Sequence, residues 1–179
     1  MSPRSPEGAF ARSVRIRMPV RRFAFEGRDD ALTSIPWAVK RKLDLAAVRL
    51  TPEAWRALPW HERLALCELP AETDNEIAAY RTVLEGFAQR SSVPTQALPP
   101  VVLPPWRNTE VPVTLSRRLA SLGIPVLRAR WRMLDDLERF ALCRLADKRD
   151  ASRLIAALAE LGLLGPAPRE VDGVASPLG

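Results

Sequence analysis

The chain has 179 residues, of which 47% are hydrophobic and 27% are charged, a composition that fits one globular domain or two small ones and excludes a mainly disordered chain. Two cysteines exclude a disulfide-stabilised scaffold, and a single histidine, His61, excludes most metal sites and most histidine-based catalysis. The net charge of +6 is concentrated in residues 1–22, which hold six arginines and one glutamate, so the rest of the chain is almost neutral.

Residues 1–22 are predicted to form a basic N-terminal arm that is partly disordered. They lack the apolar stretch of a secretory signal, and three prolines argue against the long amphipathic helix of a mitochondrial presequence. No apolar run in the chain approaches the roughly 20 residues needed to cross a bilayer, so we expect a cytoplasmic protein. Apolar residues alternate from Val14 to Phe25, a period that favours an extended arm or an edge strand.

The sequence contains an internal repeat with an offset of 76 residues. Shifting the chain by this offset aligns about 40 residues without a gap, and the identities include Trp55 with Trp131 and the two cysteines with each other. Chance rarely places tryptophan and cysteine, together with their neighbours, at one fixed offset. We therefore predict two tandem copies of a small multi-helix unit, in residues 23–90 and 107–164.

The first copy is predicted to consist of short helices. Apolar residues spaced three to four apart indicate a helix over residues 36–46. Thr51-Pro52-Glu53 is a typical helix start, with a capping hydroxyl, a proline in the first turn and an acid near the positive end of the helix dipole. A further helix follows from Trp60 to Leu69, and Asp74 begins the next one.

The two copies are separated by residues 91–106, which contain five prolines and no charged residue. This composition predicts an extended, polyproline-like connector, because proline fixes φ and removes a backbone donor. The connector is nevertheless too apolar for a free linker. Its docked side chains are predicted to be those of Val101, Val102, Leu103 and Trp106.

The second copy repeats the helical pattern, with Asp135 predicted to cap a helix over residues 136–145 and a longer helix over 151–164. Residues 165–179 hold three prolines and three glycines and are predicted to be a flexible tail. The predicted fold class is therefore all-α: two tandem multi-helix units joined by a Pro-rich connector, with an extended N-terminal arm.

Several residues of the two copies invite a functional interpretation, but a structural one fits them better. Trp55 and Trp131 are expected to fill the core of their own copies rather than to stack on a ligand. The arginine that follows each tryptophan is expected to pair with a glutamate across the next turn. These predicted ion pairs are Arg56 with Glu62 and Arg132 with Glu138.

The residues able to carry chemistry are few. Cys67 and Cys143 lie within apolar helical runs, where a free cysteine behaves as a small buried hydrophobe rather than as a redox pair. His61 is expected to be a partly exposed residue in the first turn of a helix. No phosphate-binding loop, dinucleotide fingerprint, nucleophile elbow or zinc-protease motif occurs. We therefore expect no catalytic site, no cofactor and no metal.

A series of short motifs follows the basic arm in a fixed order. They are Phe-x-Phe-Glu at 23–26, Ile-Pro at 35–36, Lys-x-Lys-Leu-Asp at 40–44, Leu-Thr at 50–51 before Trp55, Leu-Pro at 69–70, Tyr-Arg at 80–81, Leu-Gly-Ile at 122–124, and Trp131 before Arg-Phe-Ala-Leu at 139–142. In this order they resemble the nitrate reductase-associated protein family of bacterial nitrate assimilation, over roughly residues 23–163. The resemblance implies an accessory factor that nitrate reductase needs to become or stay active, without catalysis of its own.

The expected partner is a protein, either nitrate reductase or its maturation factors. The two copies differ in charge, −2 for residues 23–90 and +4 for 107–164, which favours a directional contact. The resemblance is densest in the end of the arm and the first helix, where the charged residues are expected on an exposed side. The predicted partner-binding residues are Phe23, Phe25, Glu26, Pro36, Lys40, Lys42 and Asp44.

The alternative function is that of a nucleic-acid-binding regulator, which would use the basic arm and the second copy. Such binding would weaken steeply with salt, because it depends on phosphate contacts. The almost neutral body of the chain makes nucleic acid the less expected partner.

Overall fold

The computed structural model describes residues 21–100, 103–125, 128–148 and 150–164, and this part of the chain is mostly helical. The predicted all-α class is therefore confirmed in the sense that the described residues are mostly helical. Two short 3-10 helices, at Ala24–Glu26 and Pro105–Arg107, and a small antiparallel sheet, in which β1 (Val48–Arg49) pairs with β2 (Gln96–Ala97), complete the elements. The α-helices are α1 (Trp37–Leu45), α2 (Pro52–Ala57), α3 (Trp60–Glu68), α4 (Asp74–Arg90), α5 (Val113–Ser121), α6 (Arg128–Met133), α7 (Asp136–Asp147) and α8 (Ala151–Glu160). None of these helices has both the length and the apolar character needed to span a membrane.

Side-chain caps fix the helix starts that the sequence predicts. The Thr51 hydroxyl accepts the backbone N–H of Ala54 at 3.1 Å, with Pro52 in the first turn of α2. Thr73 caps α4 and Asp135 caps α7, each in a capping box with the glutamate three residues later. Such caps satisfy backbone donors that a helix start leaves unpaired, which is why these boundaries can be read from local sequence.

Two clusters of buried side chains form the interior, and α1 lies between them. The first cluster includes Trp55 and the α1 residues Val39 and Leu43. The second is built from the later helices around Phe140 and also takes in Trp37 from the start of α1. Helix α1 therefore packs against both clusters, through opposite parts of its circumference.

Corresponding helices and tryptophans occur at the 76-residue offset. The bounds of α5 and α6 each lie 76 residues after those of α1 and α2. Trp55 and Trp131 are both buried, which confirms their interpretation as core residues. The Nε1 atom of Trp55 donates to the carbonyl of Leu32 at 2.7 Å, and that of Trp131 donates to the carbonyl of Asn108 at 3.2 Å.

The ion pairs predicted across the turns are wrong. Arg56 reaches back along its own helix to Glu53, whereas Arg132 pairs with Glu110. The two glutamates are held by cations from distant segments: Glu62, which is buried, by Arg90 at 3.0 Å, and Glu138 by Arg21 at 2.6 Å. Long-range packing, rather than proximity in sequence, selects these partners.

Two expectations about irregular segments also need correction. Within the predicted extended arm, Ala24–Glu26 forms a 3-10 turn, while residues 1–20 lie outside the described residues. In the segment 91–106, Trp106 is buried as predicted, but Leu103 is exposed. Val101, Val102 and the predicted tail at 165–179 lie outside the described residues.

Candidate functional site

The turn at Phe23–Glu26 is docked on the protein rather than left free. One carboxylate oxygen of Glu26 accepts the backbone N–H of Phe23 at 3.0 Å, and the other accepts the N–H of Trp37, the first residue of α1, also at 3.0 Å. From the end of α8, the carboxylate of Glu160 accepts the N–H groups of Ala24 and Phe25 at 2.8 and 3.1 Å. This turn therefore ties the start of α1 to the end of α8.

A continuous chain of aromatic rings runs from this turn into the second cluster. Phe23 stacks on Phe25 with centroids 4.8 Å apart, and Phe25 makes an edge contact with Trp37 at 6.3 Å. Trp37 in turn contacts Phe140 of α7 at 6.0 Å, and Phe140 contacts Trp106 at 4.9 Å. Edge and offset contacts of this kind are favourable beyond the area that they bury. The Phe-x-Phe-Glu motif thus acts as an anchor for α1.

The expectation that Lys42 lies on an exposed side of α1 is wrong. The Lys42 side chain is buried, and its Nζ donates to the carbonyls of Cys67, at 2.8 Å, and of Leu69 at the end of α3. Arg41 is buried as well and pairs with Glu72. A helix packed on two sides has little surface left, so these cations serve the fold. Lys42 satisfies carbonyls that the end of α3 leaves without helical partners.

The other predicted residues of α1 face a groove between α1 and α7. This α1–α7 groove encloses about 380 Å³, and the residues that define it here are Trp37, Lys40, Asp44, Phe140, Arg144 and Lys148. Lys40 and Asp44 are one helical turn apart on the same face of α1 and are both half-buried. Asp44 forms an ion pair with Arg144 across the groove.

Positive charge is crowded over the aromatic rings of the groove. The Nζ atoms of Lys40 and Lys148 lie 4.4 and 5.6 Å from the centroid of the Trp37 ring, and Arg144 lies over Phe140 at 5.7 Å. Burial, followed by repulsion from Lys148, lowers the pKa of Lys40 to about 8, against a weaker opposing effect of Glu26. Burial raises the pKa of Asp44 even though Arg144 acts in the opposite direction. The groove is therefore a cationic site on an aromatic floor.

The thiols are not arranged for chemistry. Both cysteines are free and buried, which confirms the interpretation of Cys67 and Cys143 as core residues. Burial raises the pKa of Cys67 to about 11 and that of Cys143 to about 12, so neither is a thiolate near neutral pH. His61 is exposed in the first turn of α3, as predicted. No group of three histidine, cysteine or acidic side chains in the described ranges could hold a metal ion.

Of the seven predicted partner-binding residues, the structure brings only Lys40 and Asp44 into the groove. Phe23, Pro36 and Lys42 are buried, and Phe25 and Glu26 are half-buried in the docked turn. Sequence reasoning missed Trp37, Arg49, Arg144 and Lys148, which also line this groove. Trp37, three residues before Lys40, could have been found from helical spacing. Arg144 of α7 is 100 residues from Asp44, and Lys148 follows α7, so neither carries a local signal.

A model of one protein family matches residues 22–161, and its description is conserved nitrate reductase-associated protein. The match begins just before the docked Phe-x-Phe-Glu turn and ends one residue after Glu160, which holds that turn. No curated protein and no solved structure matches the chain.

Proposed function

We propose that this chain, which belongs to the family of conserved nitrate reductase-associated proteins, is a non-catalytic accessory protein of nitrate assimilation. It binds nitrate reductase, or the machinery that matures the enzyme, in the cytoplasm and supports its assembly or activity. The observation that carries this proposal is the family match over residues 22–161. The two buried thiols of high pKa agree with a role that needs no nucleophile of the protein's own.

The α1–α7 groove is the surface that we propose for the partner. Of the partner-binding residues expected from sequence, Lys40 and Asp44 line this groove. Further cations are added by Arg49 of β1, by Arg144 of α7 and by Lys148, which follows α7. The docked turn and the buried Lys42 hold α1 in place and so shape the groove without facing the partner. Contact energy at interfaces is concentrated in a few aromatic and cationic residues, and this groove supplies both types.

The internal repeat is part of the proposal as well. We take residues 23–90 and 107–164 to be descendants of one duplicated unit joined by residues 91–106. Support comes from the helix bounds that recur after 76 residues and from the two tryptophan hydrogen bonds at the same offset. The copies differ because α1 lies between both clusters of buried side chains, whereas α5 belongs to the second alone.

The test is affinity purification of the tagged protein from nitrate-grown cells, with identification of the proteins that co-purify. Nitrate reductase or its maturation factors are expected in the wild-type eluate. The groove variant Arg49→Glu/Lys148→Glu should lose them and impair growth on nitrate but not on ammonium. The matched control Arg56→Glu/Arg128→Glu makes the same change in charge at exposed positions elsewhere.

Two results would contradict this function. One is normal growth on nitrate, with normal nitrate reductase activity, when the gene is deleted. The other is co-purification of nucleic acid in place of protein, lost steeply with added salt, which would favour the regulator instead.

A further inference from the structure

The charges of the α1–α7 groove are not balanced by the protein itself. Asp44 is the sole acidic side chain among the described residues that line the groove, and Arg144 already pairs with it. Lys40, Lys148 and Arg49 also line it, and none of the three forms an ion pair within the described part of the chain. The groove thus holds three cations without an ion-pair partner, and the one acidic side chain outside the lining that acts on Lys40, Glu26, has a weaker effect than the repulsion from Lys148.

The surroundings of these cations make an added negative charge favourable. Two of them share the Trp37 ring, so their ammonium groups repel each other at close range, and Arg153 of α8 adds to the repulsion felt by Lys40. Part of the solvation of the half-buried Lys40 is replaced by the aromatic floor, which attracts a cation but carries no net charge. A carboxylate placed between Lys40 and the exposed Lys148 would gain more at Lys40 than it would on an open surface, because screening by water is reduced there.

The groove also continues beyond the cations. A second cavity, of about 490 Å³, adjoins it and shares Asp44, Arg144 and Leu98 with it. Trp106 lines this second cavity, and its buried Nε1–H has no hydrogen-bond acceptor among the described residues. By contrast, the indoles of Trp55 and Trp131 both donate to backbone carbonyls. A polypeptide crossing both cavities would lie beside the ring of Trp106.

From this arrangement we infer that the α1–α7 groove binds an acidic segment of the partner polypeptide. Carboxylates of the segment lie at Lys40, Arg49 and Lys148, and an apolar side chain packs on the aromatic floor. The acidic end lies in the groove itself rather than in the second cavity, because Asp147 lines that cavity and repels it. The inference rests on the proposed function, since it names the chemistry by which the partner is recognised.

A polypeptide fits this site better than a small anion does. The cations come from three segments, α1, β1 and the residue that follows α7. Lys40 and Lys148 meet at the Trp37 ring, and Arg49 adds a further charge from β1, so more than one carboxylate is needed to answer them. An extended chain with acidic residues at alternate positions can meet several of them at once while its other side chains reach the floor.

The direct test uses a fluorescein-labelled nonapeptide of alternating glutamate and leucine, titrated with the full chain and followed by fluorescence anisotropy. The matched peptide carries glutamine in place of glutamate. We expect the wild type to bind the glutamate peptide at least about tenfold more tightly than the glutamine peptide. The Arg49→Glu/Lys148→Glu variant should lose about tenfold or more in affinity, and the Arg56→Glu/Arg128→Glu control should stay within about twofold of wild type.

Equal binding of both peptides would overturn the inference, and so would equal loss of affinity in the groove variant and the control. Competition by inorganic phosphate distinguishes a simple anion site from a polypeptide groove. The phosphate is added at roughly 20 mM, and the reference sample contains chloride at the same ionic strength. Displacement of the peptide by phosphate at that ionic strength counts against the inference, and retention of the peptide supports it.

The outcomes also separate the inference from the proposed function. If the glutamate peptide does not bind while nitrate reductase still co-purifies, the inference is wrong and the proposed function stands. If the peptide binds in the groove and no nitrate assimilation protein co-purifies, the function fails.

Discussion

Glu26 accepts the backbone N–H of Trp37 through one carboxylate oxygen while its other oxygen accepts the N–H of Phe23. This contact joins a turn to a helix start eleven residues later in the chain. Because an acid at the N-terminus of a helix also interacts favourably with the helix dipole, Glu26→Ala should lower the free energy of unfolding by about 1–2 kcal/mol. Urea denaturation measures the change. Glu85→Ala, on the exposed surface of α4, is the control and should cost less than about 0.5 kcal/mol.

Phe23 should matter more for stability than Phe25, although both belong to the same motif. Phe23 is buried in the second cluster, whereas Phe25 is half-buried at its edge. Phe23→Ala leaves a cavity and should lower the free energy of unfolding by about 3 kcal/mol, against about 1 kcal/mol for Phe25→Ala. Chemical denaturation of the two variants decides the point. Equal effects would mean that the turn does not anchor to this cluster.

Lys42 is expected to contribute to the stability of the fold, whereas Lys40 is expected to contribute to the groove surface and not to stability. Lys42→Met removes the donor that satisfies the carbonyls of Cys67 and Leu69 and should cost about 1–3 kcal/mol. Lys40→Met, in the groove, should leave the melting temperature unchanged or raise it, because the variant no longer buries part of a charge. A stability of Lys42→Met equal to that of Lys40→Met would contradict this division.

The stability of the protein should rise with pH between 7.5 and 9.0. Burial lowers the pKa of Lys40 and of Lys42 from 10.5 to about 8, so the unfolded chain binds more protons than the folded one in this window. Raising the pH therefore favours the folded state, by at most about 1.4 kcal/mol per pH unit for each lysine. Urea denaturation at the two pH values should show this slope, and Lys40→Met should reduce it.

The upper limit of that window is set by the thiols, which act with the opposite sign. Cys67 and Cys143 ionise at about 9 when exposed but at about 11 and 12 in the fold, so deprotonation of the unfolded chain lowers stability above pH 9. A stability that falls from pH 7.5 to 9.0 in the wild type would contradict the lowered pKa values of Lys40 and Lys42.

Both thiols should be protected from modification in the native protein. At pH 8 the native thiols should react with an aromatic disulfide reagent about a hundredfold or more slowly than the thiols of the chain unfolded in roughly 8 M urea. The reason is that burial keeps the reagent away from the sulfur atoms and keeps the thiols protonated. The absorbance of the released thiolate gives the rate. Reaction of either cysteine in the folded chain at the rate of an exposed thiol would show that it is not a core residue.

Local interactions are what the sequence by itself determined. The caps at Thr51 and Asp135 act on backbone groups two or three residues away, so their effect on helix boundaries is readable without the fold. The burial of Trp55 and Cys67 follows from apolar spacing, which depends only on the helical period. The order of the short motifs likewise indicated the family without any structure, and the family match confirms it.

Only the tertiary structure decided which face of a helix is covered. The sequence of α1 indicates an apolar stripe through Val39 and Leu43, but not that Trp37 enters a second cluster whose other members, apart from Phe23, come from much later in the chain. Packing on both sides buries Lys42 and leaves Lys40 in the groove, although the two lysines are separated by one residue. Lys148, which shares the Trp37 ring with Lys40, directly follows α7 and reaches it because α7 packs beside α1. No local rule of spacing or propensity contains that contact.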